Sequence, residues 1–263
     1  SLKFCEIRQS SFFYVIIKAT IIKCGDNMKP YCSAIIPAAG NSTRMAMGQS
    51  KQFLPLLGKP AIVYTLQAFE QAKSIDEIIL VCRDEDKERL HTCVHMAGIT
   101  KPVVFTLGGT SRQQSVFSGV RACASQTEYI IIHDGARPLI TWDLIEKVTA
   151  DAFTYGAAAL GVPVKDTIKV TNAQGFATAT PDRSTLWAVQ TPQVFKKTSY
   201  LSAVKQAVQQ GADYTDDCQL MEQLGKQVHL CMGSYENIKL TTKEDLIVAQ
   251  AILNQRSTER SNS

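Results

Sequence analysis

Beyond residue 30 the chain alternates short, continuous apolar runs with longer stretches whose apolar positions recur at helical spacing. Ser33 to Pro37 predicts a buried strand and Pro60 to Ala72 an amphipathic helix. Glu77 to Cys82 predicts a second strand, followed by a charged helix from about Asp84 to Met96. Val103 to Leu107 is a third strand, Arg112 to Ala124 a third helix, and Tyr129 to Asp134 a fourth strand ending on a carboxylate. Unbroken apolar strands between helices specify a parallel sheet covered on both faces, because a strand with one wet face would alternate instead. Ligands of such sheets bind outside the carboxyl ends of the strands. The polar clusters singled out below fall at those ends.

From about Val164 to Phe195 the rhythm changes. Asp166 to Val170, a turn at Gly175 and Leu186 to Val189 predict antiparallel strands that project from the sheet as an arm. Helical patterns return from Lys196 to Gln210 and from Asp216 to Leu224. A closing strand covers Gln227 to Cys231, with Asn237 to Thr241 after it. The last helix opens on Thr242-Lys243-Glu244-Asp245, a capping pattern, and its apolar face includes Leu246, Ala249 and Leu253. A single domain over 29–256 accounts for this order. Residues 1–28 are expected to be an extension outside it, with Met28 marking the functional start, and 257–263 a frayed polar tail.

Composition narrows the partners. The 263 residues include 28 Lys and Arg against 24 Asp and Glu, a net charge of +4. That balance is too weak and dispersed to argue for nucleic acid, but it suits phosphorylated substrates. Eight cysteines contain no C-x-x-C pair, and several lie inside apolar runs. This is the usage of reduced thiols in a reducing, cytoplasmic setting. The apolar run Phe12 to Ile17 is interrupted by Lys18 and Lys23 and is too short to span a bilayer, so no membrane role is expected.

The most informative segment follows the first strand: Pro37-Ala38-Ala39-Gly40-Asn41-Ser42-Thr43-Arg44, then Ser50-Lys51-Gln52-Phe53-Leu54. Small residues let a turn close around a phosphate chain and offer it backbone amides. Arg44 and Lys51 add fixed positive charge, as nucleotidyl transfer requires. Asp134, in His133-Asp134-Gly135-Ala136-Arg137-Pro138, is a strand-end carboxylate placed to help hold Mg²⁺, a hard cation that prefers oxygen. Gly108-Gly109-Thr110-Ser111-Arg112-Gln113-Gln114-Ser115 opens a helix after the third strand. Its glycines permit a close backbone approach, and Ser115 offers a hydroxyl to a flat pyrimidine edge. His91 and His95 stand four apart but lack a third ligand with sensible spacing, and His133 reads as structural.

Taken in this order, the motifs resemble those of the 2-C-methyl-D-erythritol 4-phosphate cytidylyltransferase family over nearly everything from Lys29 to about Arg256. Ser42, Ser50 and Gly135 depart from its commoner pattern with small residues. The resemblance implies a Rossmann-like, mostly parallel sheet with helices on both faces, the nucleotidyltransferase fold, carrying a protruding antiparallel β-arm. It implies a nucleotide site at Pro37, Ala38, Ala39, Gly40, Gly109, Ser115, Asp134 and Gly135, with Arg44 and Lys51 catalytic and Mg²⁺ on Asp134. It assigns the phosphorylated substrate to Arg137, Thr167, Arg183, Thr191, Lys239 and Thr241. It also implies a homodimer in which Arg183 and Thr191 reach the partner's site.

The activity implied is the joining of CTP and 2-C-methyl-D-erythritol 4-phosphate into 4-diphosphocytidyl-2-C-methyl-D-erythritol and pyrophosphate. A cytidylyltransferase for another alditol phosphate, such as ribitol 5-phosphate, needs the same triphosphate site. Ala38-Ala39-Gly40 favours the methylerythritol enzymes, since the ribitol enzymes more often carry Ala-Gly-Gly there. A dinucleotide-binding dehydrogenase is excluded, because no G-x-G-x-x-G follows the first strand. Arg44, Lys51 and Asp134 together argue against an inactive binding module.

Overall fold

The apolar runs line up as one seven-stranded sheet. The structure, a computed structural model, describes residues 29–40 and 50–261. Strands β1 (Cys32–Pro37), β2 (Glu77–Cys82), β3 (Val103–Leu107) and β4 (Tyr129–Ile132) alternate with helices α1 (Ala61–Gln71), α2 (Lys87–Ala97) and α3 (Arg112–Ala122). Then come α4 (Trp142–Tyr155), β5 (Ala157–Pro163), a hairpin of β6 (Val170–Thr171) and β7 (Ala177–Ala179), and the long β8 (Trp187–Lys196). Helices α5 (Lys197–Gln210) and α6 (Asp217–Gln223), strand β9 (His229–Met232) and helix α7 (Lys243–Ser261) complete it.

The sheet order is β9-β5-β8-β4-β1-β2-β3. Neighbours are parallel except around β8, which runs antiparallel to both β4 and β5. Alternate residues of each central strand face opposite layers. Ile36, Ile78, Leu80 and Ile131 pack under Ile62, Leu66 and Phe69 of α1 and Val148 of α4. Ile35, Ile79, Val81 and Ile130 pack against Val116 of α3, Tyr200 of α5 and Met221 of α6. Each such fully buried aliphatic side chain contributes about 1.5–3 kcal/mol of transfer free energy. Both faces are therefore dry, and the ligand-accessible part of the sheet is its carboxyl end.

The structure departs from the hydrophobic pattern in three places. Residues 139–163, to which the pattern assigns nothing, hold α4 and β5. Strand β5 reads Ala-Ala-Ala-Leu-Gly-Val-Pro, and alanine carries no strand signal, so its burial between β8 and β9 decides. Leu186 to Val189, expected in the projecting arm, instead leads into β8 of the central sheet, so that of the arm's strands β6 and β7 alone pair outside that sheet. Helix α7 runs on to Ser261, through much of the segment expected to fray.

The capping pattern before α7 is realised. The Asp245 carboxylate accepts from the Thr242 amide at 2.7 Å, and the Asp245 amide reaches back to the Thr242 hydroxyl at 3.4 Å. Leu253 and Ala249 pack with Leu56 and Leu139, as the predicted apolar face requires. Residues 1–28 and Arg44 lie outside the described residues.

Candidate active site

A cleft of about 540 Å³ opens where β1, β2, β3 and β4 end. One wall is the Pro37–Gly40 turn. It is held to the neighbouring strand by the Ala38 amide, which donates to the Val81 carbonyl at 2.7 Å, and from beneath by Gln52, whose amide donates to the Ala38 carbonyl at 2.5 Å. The opposite wall is the loop into α3. There the Gly109 amide donates to the Ser115 hydroxyl at 3.1 Å, and Ser111 caps the helix by accepting from the Gln114 amide at 3.2 Å. The walls meet closely. A β-carbon on Gly108 would lie 2.6 Å from that of Ala39, so only glycine permits this approach.

Asp134 forms the floor. Its carboxylate faces Lys239 at 2.8 Å, Arg137 at 3.6 Å and Arg112 at 3.9 Å. Burial alone would push this carboxyl up. The Lys239 and Arg112 cations, with Arg137 behind them, outweigh it and hold Asp134 down at about 2. Asp134 is thus an ionised oxygen donor set among cations, in a cleft suited to a polyanion.

The floor has its own support. His133 is fully buried, and its Nε2 lies 3.1 Å from the Arg137 carbonyl, an acceptor only. Nε2 therefore carries the proton, and Nδ1 accepts from the Thr191 hydroxyl at 3.1 Å. That same hydroxyl oxygen accepts from the Asp134 amide at 3.1 Å. Burial dominates the ring's chemistry and pushes its pKa down to about 4.

A second strut is the fully buried Asn237. Its side chain donates to the Thr191 carbonyl at 2.9 Å, and its own carbonyl accepts from Arg137 at 2.8 Å. Nearby, the Leu240 amide donates to the Ala136 carbonyl at 2.8 Å. The segment bearing Lys239 is thereby fastened to the segment bearing Asp134.

The structure brings Pro37, Ala38, Ala39, Gly40, Lys51, Gly109, Ser115, Asp134, Gly135 and Lys239 to the one cleft. Arg137 stands behind Asp134. Thr191 is only 4% exposed and serves the floor from below, with its hydroxyl committed within the chain. Thr241 gives its hydroxyl to Asp245 at 2.7 Å. Thr167 and Arg183 are exposed and flank the hairpin rather than line the cleft. Residues the sequence reading gave no site role also line it. They include Arg112, Gln52 and Arg83, which donates to Ser50 at 2.9 Å. Arg83 follows the end of β2 directly, the positional signal that would have found it.

Among the described residues no group of three His, Cys, Asp or Glu comes together to cage a metal. His91 instead stacks on Phe105, with ring centroids 4.0 Å apart. Asp134 does fit a cation that takes one carboxylate and fills its remaining positions with phosphate oxygens and water, the habit of Mg²⁺. The thiols of Cys82, Cys93, Cys123, Cys218 and Cys231 are free, and none of the helices described is long and apolar enough to cross a membrane.

A family model described as 2-C-methyl-D-erythritol 4-phosphate cytidylyltransferase matches residues 32–255. The chain is 44% identical over 225 residues to the enzyme of that name from Desulforamulus reducens, covering 85% of this chain and 96% of the relative. It is 45% identical over 222 residues to that of Caldanaerobacter subterraneus subsp. tengcongensis, covering 84% and 98%. Among solved structures, the 4-diphosphocytidyl-2C-methyl-D-erythritol synthase of Anaerococcus prevotii superposes with a TM-score of 0.77 at 31% identity, over 86% of this chain and 99% of that one.

Proposed function

Because the chain belongs to the 2-C-methyl-D-erythritol 4-phosphate cytidylyltransferase family, we propose that its cleft transfers the cytidylyl group of CTP to that alditol phosphate. A phosphate oxygen of the second substrate attacks the α-phosphorus of CTP. The bond to the departing pyrophosphate breaks in line, and 4-diphosphocytidyl-2-C-methyl-D-erythritol is formed. The attacking oxygen is already ionised near neutrality, so no general base is needed, consistent with the neutral, buried His133.

The observation that carries this reading is Asp134 at the end of β4, ringed by Lys239, Arg137 and Arg112 between the two small-residue walls. The Pro37–Gly40 turn offers amides to the triphosphate, and Gly109 and Ser115 read the cytosine edge. Arg44 and Lys51 stabilise the charge that grows on the five-coordinate phosphorus. Asp134 would hold Mg²⁺, which when bound neutralises charge on the pyrophosphate. Lys239 and Arg137 suit the phosphate of the alditol, an anion that rewards charge-assisted contacts.

Thr167 and Arg183 flank an exposed hairpin; Thr167 is assigned to the alditol phosphate, and Arg183 to the site of a second copy in a homodimer. The free thiols suit a reducing cytoplasm. The test is pyrophosphate release from CTP with 2-C-methyl-D-erythritol 4-phosphate beside ribitol 5-phosphate and other alditol phosphates. Turnover with the methylerythritol substrate is expected to dominate. A preference for ribitol 5-phosphate would transfer the reading to the other alditol class.

A further inference from the structure

The wall formed by residues 109–115 is gripped from outside by the turn that leads into α6. Ser111 donates to the exposed Asp213 carboxylate at 3.2 Å. Gln113 brackets the same turn, its oxygen accepting from the Tyr214 amide at 2.9 Å and its nitrogen donating to the Ala212 carbonyl at 3.4 Å. Between them, Arg112 forms an ion pair with Asp217 at 2.6 Å. Asp217 is buried, and its other oxygen accepts from the Tyr200 hydroxyl at 2.7 Å. Tyr200 belongs to the core beneath the sheet. The carboxylate is therefore rooted in the core, and it aims a guanidinium that lines the cleft and ends 3.9 Å from Asp134.

A buried ion pair is a poor source of stability, since apolar replacements of similar volume often do as well. What it supplies is direction. Base recognition by backbone amides and one hydroxyl depends on where those groups are held, and discrimination is lost when they drift. We propose that Asp217, acting through Arg112 and seconded by Asp213, is a positioning residue for the nucleotide, holding the Gly109–Ser115 wall in the pose that separates CTP from other nucleoside triphosphates. This rests on the assignment of Gly109 and Ser115 to the base.

The experiment uses the full chain and compares steady-state kinetics with CTP and UTP. Asp217→Asn keeps the side chain's volume and its acceptor for Tyr200 while removing the charge. It is expected to raise KM for CTP by on the order of tenfold and to lower the CTP-over-UTP ratio of kcat/KM by a similar factor, with KM for the alditol phosphate unchanged. Asp213→Ala, at an exposed position, should move both quantities the same way by less. Ser115→Ala serves as the control for the base site and should raise KM for CTP.

If Ser115→Ala shifts CTP while both aspartate variants leave KM and the ratio untouched, the positioning role is overturned. It is equally overturned if Asp217→Asn lowers turnover with every nucleotide by one common factor. A silent Ser115→Ala would instead remove the base-reading assignment on which the inference stands.

Discussion

Lys239 sets its ammonium 2.8 Å from the Asp134 carboxylate, joining the segment after β9 to the end of β4. With Arg137 at 3.6 Å and Arg112 at 3.9 Å, one acid is outnumbered by its cations. Removing the acid leaves an anion trap without the carboxylate proposed to hold Mg²⁺. Asp134→Asn is therefore expected to lose about two or three orders of magnitude in turnover at ordinary Mg²⁺ and to need more metal. Metal-free Asp134→Asn should still bind CTP at least as well as the metal-free parent. Mg²⁺ titration of turnover and calorimetry with CTP check the two halves, and wild-type metal dependence in the variant would take the metal away from Asp134.

The electrostatic roles proposed for Lys51 and Arg44 predict a split between binding and chemistry. Charge that grows on the phosphorus in the transition state is stabilised there more than in the ground state, so its loss appears in kcat. Lys51→Ala and Arg44→Ala should each lower kcat by about two or three orders of magnitude while shifting KM for CTP far less. Near-normal kcat with only a raised KM would reassign either residue to ground-state binding.

The contact between the two walls is equally testable. A β-carbon at Gly108 would sit 2.6 Å from that of Ala39, so Gly108→Ala must push the walls apart. Overpacking of this kind costs about 1–3 kcal/mol. Thermal denaturation should show a lower midpoint, and KM for CTP should rise because both walls line the cleft proposed to hold the nucleotide. Unchanged melting and an unchanged KM would mean that the walls have slack at this point.

Much of this site is legible because its parts are local. The Pro37–Gly40 turn, the Gly109 loop and Asp134 each follow an unbroken apolar strand, and parallel topology brings strand ends together whatever their spacing along the chain. The supports are not legible for the converse reason. Asp217 meets Arg112 and Asn237 meets Thr191 only because α6 and the segment after β9 fold back across the sheet. No periodicity announces such pairings. Thr191 shows the limit most clearly: its motif marks it as important, but its burial under Asp134 is a fact of tertiary packing. Strand β5 hides for a different reason, since its alanines would suit a helix equally well.

The buried His133 gives the fold a defined acid sensitivity. The folded protein keeps the ring neutral down to about pH 4, whereas the unfolded chain protonates it near the ordinary value of 6.5. Between those limits the unfolded state binds more protons. Stability should therefore be full above 6.5 and fall as pH drops through the window to 4, by on the order of 3 kcal/mol. Asp134 acts lower down, its contribution present above 3.8 and lost as pH falls toward 2. Urea unfolding at successive pH values should show both slopes, and His133→Gln should erase only the upper one. An unaltered slope between 6.5 and 4 in that variant would place the sensitivity elsewhere.

The exposed hairpin gives the last prediction. Phe176 at its turn is 71% exposed and Val170 47%, and β6 and β7 form a two-stranded ladder with no third strand among the described residues. Such ribbons expose edges and apolar side chains that another chain covers. Arg183, which donates to the Lys165 carbonyl at 2.7 Å, stands at the base of this hairpin and does not line the cleft of its own chain. If it serves the neighbour's cleft, two inactive variants should rescue one another. In a mixed dimer of Arg44→Ala with Arg183→Ala, one site receives both lesions and the other receives neither. Random mixing makes about half the dimers mixed, each with one intact site, so activity should recover to about a quarter of the wild-type value. Were both residues to act within one chain, each site in a mixed dimer would carry a lesion and mixing would restore nothing. A verified mixed dimer without recovery would therefore place Arg183 outside the partner's site.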